Sequence, residues 1–231
     1  EHQEDREISA WFLLDLSGSM DFASAGQSKR ELMLAFVAIM AKLLMQRGNR
    51  IGAIILSPNE AAGFKYIPAR MGRRHLLHVL HTAQTTPVSK APHRTDLKQW
   101  LVSANGLLKR RSCVFVVSDF MGDFNWAQQM SHLGRRHDTV AARLYDPVEM
   151  QLPNAGLMTL QDSESSEQLL LDTTHPTFRK RYAQLVEERE LQLQTTFAQA
   201  GVDALELSTN EDIAAALLRF SELRKRRLWR A

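Results

Sequence analysis

Three short stretches of this chain are apolar almost without interruption: ISAWFLL at Ile8 to Leu14, IGAIIL at Ile51 to Leu56 and SCVFVV at Ser112 to Val117. A strand with one face in water alternates apolar and polar residues, whereas a continuous apolar run needs cover on both faces. A parallel sheet sandwiched between helices meets that need. The segments between the runs have helical spacing. Ser28 to Gln46 carries Leu32, Phe36, Ile39, Met40 and Leu43 and stops at Gly48, and Arg73 to Ala83, Asp96 to Leu108 and Trp126 to Arg136 follow the same pattern. Asp138 to Leu144 is a further strand, and Ala62 to Pro68 reads as an antiparallel neighbour of the second strand after a turn at Pro58-Asn59. Strands alternating with helices predict an α/β fold: a Rossmann-like, doubly wound, mostly parallel sheet with right-handed crossovers and helices on both faces.

The rhythm breaks after Asp146. Leu157 to Leu160 and Gln168 to Leu171 flank the polar run DSESSE, which predicts a β-hairpin insertion at about 146–172. A long helix (Pro176 to Ala200), a last strand (Ala204 to Leu207) and a closing helix (Glu211 to Arg226) complete a single domain over 1–231. The length and the 44% hydrophobic content suffice for a core without covalent help. The one cysteine, Cys113, lies in an apolar strand, so neither a disulfide framework nor a zinc cluster is expected. No apolar run reaches the roughly 18 residues of a membrane span. The expected setting is cytoplasmic. The chain opens EHQEDRE without methionine, which reads as a fragment lacking an upstream segment.

The net charge is only +3, with basic residues gathered at Phe178 to Arg181 and Leu223 to Arg230. Aromatic side chains do not interleave with these cations, so they read as solvated helix ends and not as a nucleic-acid surface. Binding of nucleic acid or a membrane surface through the C-terminal run would show as a steep loss of affinity with salt.

Chemistry concentrates where strands end. DLSGSM follows the first strand and places Asp15, Ser17 and Ser19 two residues apart; Asp119 follows the SCVFVV strand; Thr95, in HRTDL, precedes a helix. Ligands of open parallel sheets bind at the carboxyl ends of strands. An all-oxygen set with two carboxylates and several hydroxyls suits a hard divalent cation, magnesium better than calcium. The bland alternatives are helix capping and turn formation, which Ser, Thr and Asp perform routinely. Thr95 is the least secure ligand, since Thr85 and Thr86 lie nearby. Asp21 and Asp123 read as solvated loop acids. His75, His78 and His81 recur every three residues and fan around a helix, where zinc pairs prefer four. Met20, Met33, Met40 and Met45 read as core fillers, and Trp11, Phe12 and Phe120 as packing residues.

Taken together, DLSGSM, Thr95 and the SDF of Ser118 to Phe120 resemble the metal-ion-dependent adhesion site of von Willebrand factor A domains. SKRE, QRGNRIGAI, VVSDF and LYDPVEMQLPNAGLMTLQD extend the resemblance to the bacterial "domain of unknown function fifty-eight" family. The chain departs from that family in having Gly48-Asn49-Arg50 where Gly-Asp-Arg is usual. The resemblance implies a von Willebrand factor A-like fold with Asp15, Ser17, Ser19, Thr95 and Asp119 as metal ligands. Mg2+ is the expected ion, with Mn2+ and Ca2+ as the other candidates. It further implies a protein-interaction module acting as adaptor or co-chaperone of a MoxR-type AAA+ ATPase, binding an acidic side chain of that ATPase or of a client. A metal-dependent hydrolase or phosphatase is the competing reading. Against it, haloacid-dehalogenase-type phosphatases need a second Asp where Ser17 stands, and neither Gly-x-Ser-x-Gly nor a Walker loop is present.

Overall fold

The computed structural model describes residues 9–24, 26–57, 63–87, 96–161 and 168–228. The elements run β1 (Ser9–Leu14), α1 (Lys29–Gln46), β2 (Arg50–Leu56), β3 (Phe64–Arg70), α2 (Arg73–Thr85), α3 (Leu97–Leu107), β4 (Cys113–Ser118), α4 (Ala127–Arg136), β5 (Asp138–Tyr145), α5 (Pro147–Met150), β6 (Leu157–Gln161), β7 (Gln168–Asp172), α6 (Pro176–Ala200), β8 (Asp203–Ser208) and α7 (Ile213–Leu228). Among the described residues, six strands form one sheet in the order β3-β2-β1-β4-β5-β8, parallel except for β3. From β1 the chain adds β2 and β3 on one side, then crosses back to add β4, β5 and β8 on the other. The sheet's switch point therefore lies between β1 and β4, where ligand crevices of open sheets form.

Both faces of the four central strands are dry, as the apolar runs require. Alternate residues of β1 enter opposite cores. Phe12 and Leu14 pack with Leu32 and Phe36 of α1, Val79 of α2 and Ala216 of α7. Trp11 and Leu13 pack with Trp100 of α3, Leu133 of α4 and Phe197 of α6. Each fully buried Leu or Phe contributes about 1.5–3 kcal/mol, and Phe12, Leu13 and Leu14 are all completely inaccessible. The start of α1 is set by a capping box: the Ser28 hydroxyl accepts from the Glu31 N–H while the Glu31 carboxylate accepts from the Ser28 N–H.

Some details depart from the sequence reading. α2 runs on to Thr85, past the expected end at Ala83. The last helix starts at Ile213, because the Glu211 N–H donates to the Ser208 carbonyl in a turn. The insertion contains the short α5, an element not expected, before β6 and β7 pair antiparallel as their own two-stranded sheet. Cys113 is half-buried, not buried, because it opens its strand; burial and the charge of Asp138 push its thiol up to about 12, which keeps it protonated and unreactive. Among the described residues no helix is long and apolar enough to cross a membrane.

One glycine is demanded by packing. A Cβ on Gly52 of β2 would stand 2.6 Å from the Trp11 ring, which stacks on Tyr66 of β3 with centroids 5.5 Å apart. Gly52→Ala is expected to cost about 1–3 kcal/mol. The check is a urea titration, with a lowered midpoint and unchanged slope.

Candidate functional site

The end of β1 is stitched to the end of β4. The Asp15 N–H donates to the Val117 carbonyl at 3.0 Å, and the Ser118 hydroxyl donates to Asp15 Oδ2 at 2.6 Å. Asp15 Oδ1 accepts from the Ser17 N–H at 2.9 Å, a turn that folds the loop back over the strand end. Ser17 Oγ and Ser19 Oγ then face each other at 3.1 Å. Across the crevice, Asp119 Oδ1 accepts from the Met121 N–H at 3.1 Å, and the nearby Ser19 helps hold its carboxyl low. Asp15, Ser17 and Asp119 are all buried, with 2%, 3% and 4% of their surface exposed. Asp15, Ser17, Ser19 and Asp119 therefore converge as the sequence predicts. Thr95 lies outside the described residues.

The two acids are electrostatically unequal. Burial, followed by the nearby charge of Asp119, pushes the Asp15 carboxyl up to about 6. Burial acts the same way on Asp119, but the Lys29 ammonium overrides it and holds this carboxyl below its usual range. Lys29, from the first turn of α1, is completely buried. Its Nζ lies 2.8 Å from Asp119 Oδ2 and 2.6 Å from Glu149 Oε1. Burial alone would lower the lysine, yet Asp119 and Glu149 together raise it, so it stays charged.

The Asp-Pro-x-Glu run forms the rim. Glu149 Oε2 accepts from the Asp146 N–H at 2.9 Å while Oε1 holds Lys29. Asp146 is inaccessible, and its carboxylate gathers three segments. It accepts from the Ser24 N–H at 3.1 Å and the Ser24 hydroxyl at 2.6 Å. It also accepts from the Val148 N–H at 3.0 Å and the Thr209 hydroxyl at 2.9 Å. The loop after β1, the turn after β5 and the turn after β8 are thereby fixed to one another.

Sequence reasoning missed Lys29, Asp146, Glu149, Ser24, Ser118 and Thr209. Lys29 carried a signal, since a cation at a helix N-terminus opposes the macrodipole; such a placement needs an acidic partner. The other residues singled out are structural. His75 Nε2 donates to the Ile51 carbonyl at 2.8 Å and ties α2 to β2. Asp21 and Asp123 are exposed. Phe120 is buried against Trp126 and Phe197.

The set fits a hard cation. Its donors are all oxygen, and two of them belong to buried carboxylates, Asp15 and Asp119, from adjacent strand ends. Among the described residues no three His, Cys, Asp or Glu cluster, so the hydroxyls of Ser17 and Ser19 are an essential part of such a ligand set.

An open sheet of this order, with Asp-x-Ser-x-Ser behind β1 and an aspartate behind β4, has the fold of a von Willebrand factor A-like domain. Among solved structures it is similar to the conserved hypothetical protein BatB from Bacteroides thetaiotaomicron, with a TM-score of 0.59 at 12% identity over 94% of this chain and 98% of that one. It is also similar to the SpRpn10 VWA domain, with a TM-score of 0.50 at 10% identity over 91% and 94% of the two chains. The family model described as "Protein of unknown function DUF58" matches residues 1–192, and the chain belongs to that family. A relative, the uncharacterized protein Rv1480 of Mycobacterium tuberculosis, is 33% identical over 224 residues, covering 96% of this chain and 69% of its own length. The uncharacterized protein MAV169 of Mycobacterium avium is 29% identical over 162 residues, 69% of this chain and 94% of its own.

Proposed function

We propose that this protein is a non-enzymatic interaction module in which Asp15, Ser17, Ser19 and Asp119, together with Thr95, hold a Mg2+ ion at the sheet's edge. Mn2+ and Ca2+ are the other ions such a set accepts. A divalent ion held there offers an outside carboxylate a coordination position. The observation that carries this reading is the pair of hydroxyls facing each other at 3.1 Å between two buried carboxylates from adjacent strand ends. The same geometry argues against nucleophilic chemistry. Asp119 is ion-paired to Lys29 and held below its ordinary range, which makes it a poor general base. Asp15 already accepts from Ser17 and Ser118.

The partner we propose is a MoxR-type AAA+ ATPase, or a client delivered to it, contacting the site through an acidic side chain. The von Willebrand factor A-like fold and the family resemblance support an adaptor or co-chaperone role in maturation or complex assembly. The test is capture of the purified ATPase by this protein in Mg2+, in EDTA, and with Asp15→Ala. Binding is expected to fall at least about tenfold in EDTA and in the variant, as removal of a buried charge-paired contact does. Equal capture in all three conditions would rule the reading out.

A further inference from the structure

Lys29 is placed against two physical preferences. It stands in the first turn of α1, where the helix dipole disfavours a cation. It is also fully buried, where an ammonium is costly to desolvate. Its two ion pairs offset those costs, and one of them is to Asp119, half of the site's carboxylate complement. The Phe22 ring, with its centroid 5.8 Å from Nζ, adds a cation–π contact. The capping box fixes where α1 begins, so the lysine cannot leave by unwinding the helix without losing that box as well.

Any divalent cation reaching Asp119 meets this resident charge a few ångströms away. Two like charges at that separation in a partly buried setting repel substantially. Glu149 opposes the effect by drawing the ammonium to the other side. Glu149 belongs to α5, which the Asp146 carboxylate binds to the loop after β1 and to Thr209. Lys29 thus stands between the site and the rim helix, shared by one acid from each.

We propose that Lys29 is a built-in rival of the divalent ion for Asp119, and that Glu149 sets how strongly it competes. The metal affinity of the site is therefore adjustable from α5. This rests on the metal-site reading given above and adds what tunes it. With the lysine present, the site keeps its shape without a metal and binds one only weakly. A partner that contacts α5 and pulls Glu149 and Lys29 outward tightens the hold on the ion, whereas one that frees Lys29 toward Asp119 loosens it.

The experiment is Mn2+ titration by calorimetry and by electron paramagnetic resonance at fixed ionic strength, on the wild type, Lys29→Met and Glu149→Gln. Folding is checked by circular dichroism. Lys29→Met is expected to bind Mn2+ at least roughly tenfold more tightly, because the repulsion between the ammonium and a divalent ion a few ångströms away is lifted. It also loses thermal stability in metal-free buffer and regains it with Mn2+. Glu149→Gln, which leaves Lys29 to Asp119 alone, is expected to bind roughly three- to tenfold more weakly. Equal affinity in the wild type and Lys29→Met overturns the proposal while leaving the metal site standing. If Lys29→Met does not fold, Glu149→Gln decides, and affinity at or above the wild-type value overturns the proposal. Binding in Lys29→Met but not in the wild type supports the rivalry and removes the ion from the native site. Absence of Mn2+ binding in every variant removes both readings.

Discussion

Asp15→Asn is expected to raise the melting temperature of the metal-free protein at pH 7.5 by about 6–12 °C and to abolish any response to Mg2+. The stability term follows from the Asp15 carboxyl, pushed to about 6 from an ordinary value of 3.8. Between those values the folded chain binds the proton more tightly than the unfolded chain. Stability therefore falls as pH rises from about 4 to about 6 and stays reduced above that window. Asp119 behaves oppositely: its carboxyl is depressed, so its contribution is complete above the ordinary carboxylate range and is lost only in stronger acid. Asn removes the buried charge of Asp15 while still accepting from the Ser17 N–H, and the Ser118 hydroxyl can turn to accept from the new amide. A shift of one pKa unit corresponds to about 1.4 kcal/mol, and each kcal/mol moves the midpoint of a domain this size by about 2–4 °C. Differential scanning fluorimetry from pH 4 to 8, with and without Mg2+, checks all of this. A metal-free midpoint below the wild-type value at pH 7.5, or a surviving Mg2+ shift, contradicts the assignment of Asp15.

Asp146→Ala carries the second large effect. Its carboxylate accepts from the Ser24 N–H and hydroxyl, the Val148 N–H and the Thr209 hydroxyl. Removing it strands the buried Thr209 hydroxyl and the part-buried donors of Ser24 and Val148, at up to about 1–3 kcal/mol each. We expect a loss of about 3–5 kcal/mol overall, seen as a melting temperature lower by about 10 °C. Asp146→Asn, which keeps one acceptor oxygen, should lose about half as much. Chemical denaturation measures both, and a cost under about 1 kcal/mol for the alanine variant would show that the three segments are held by something else.

The layout of the sheet was legible because its cause is local. Continuous apolar runs such as IGAIIL report two-sided burial directly, and helical spacing with a Gly stop reports α1. Asp15, Ser17, Ser19 and Asp119 were legible because parallel topology forces strand ends to one edge. The partners that hold them were not. Lys29 and Glu149 are separated by 120 residues and meet only through tertiary packing; nothing in either neighbourhood announces the other. Likewise Asp146 caps α5, a helix the sequence did not announce, and its bonds to Ser24 and Thr209 depend on three loops arriving together.

Phe120 follows the site acid with a left-handed backbone, φ 52, unusual for an aromatic residue. That reversal sends consecutive side chains to different worlds: Asp119 toward Lys29 on the α1 side, Phe120 into the opposite core. There its ring lies 5.2 Å from Trp126 and 5.0 Å from Phe197. The aim of the crevice carboxylate is thus anchored from behind the sheet, by aromatic rings that no ion or visiting peptide at the edge ever touches. A change at Phe197, in the core on the opposite face, would blur that aim without altering any residue of the crevice.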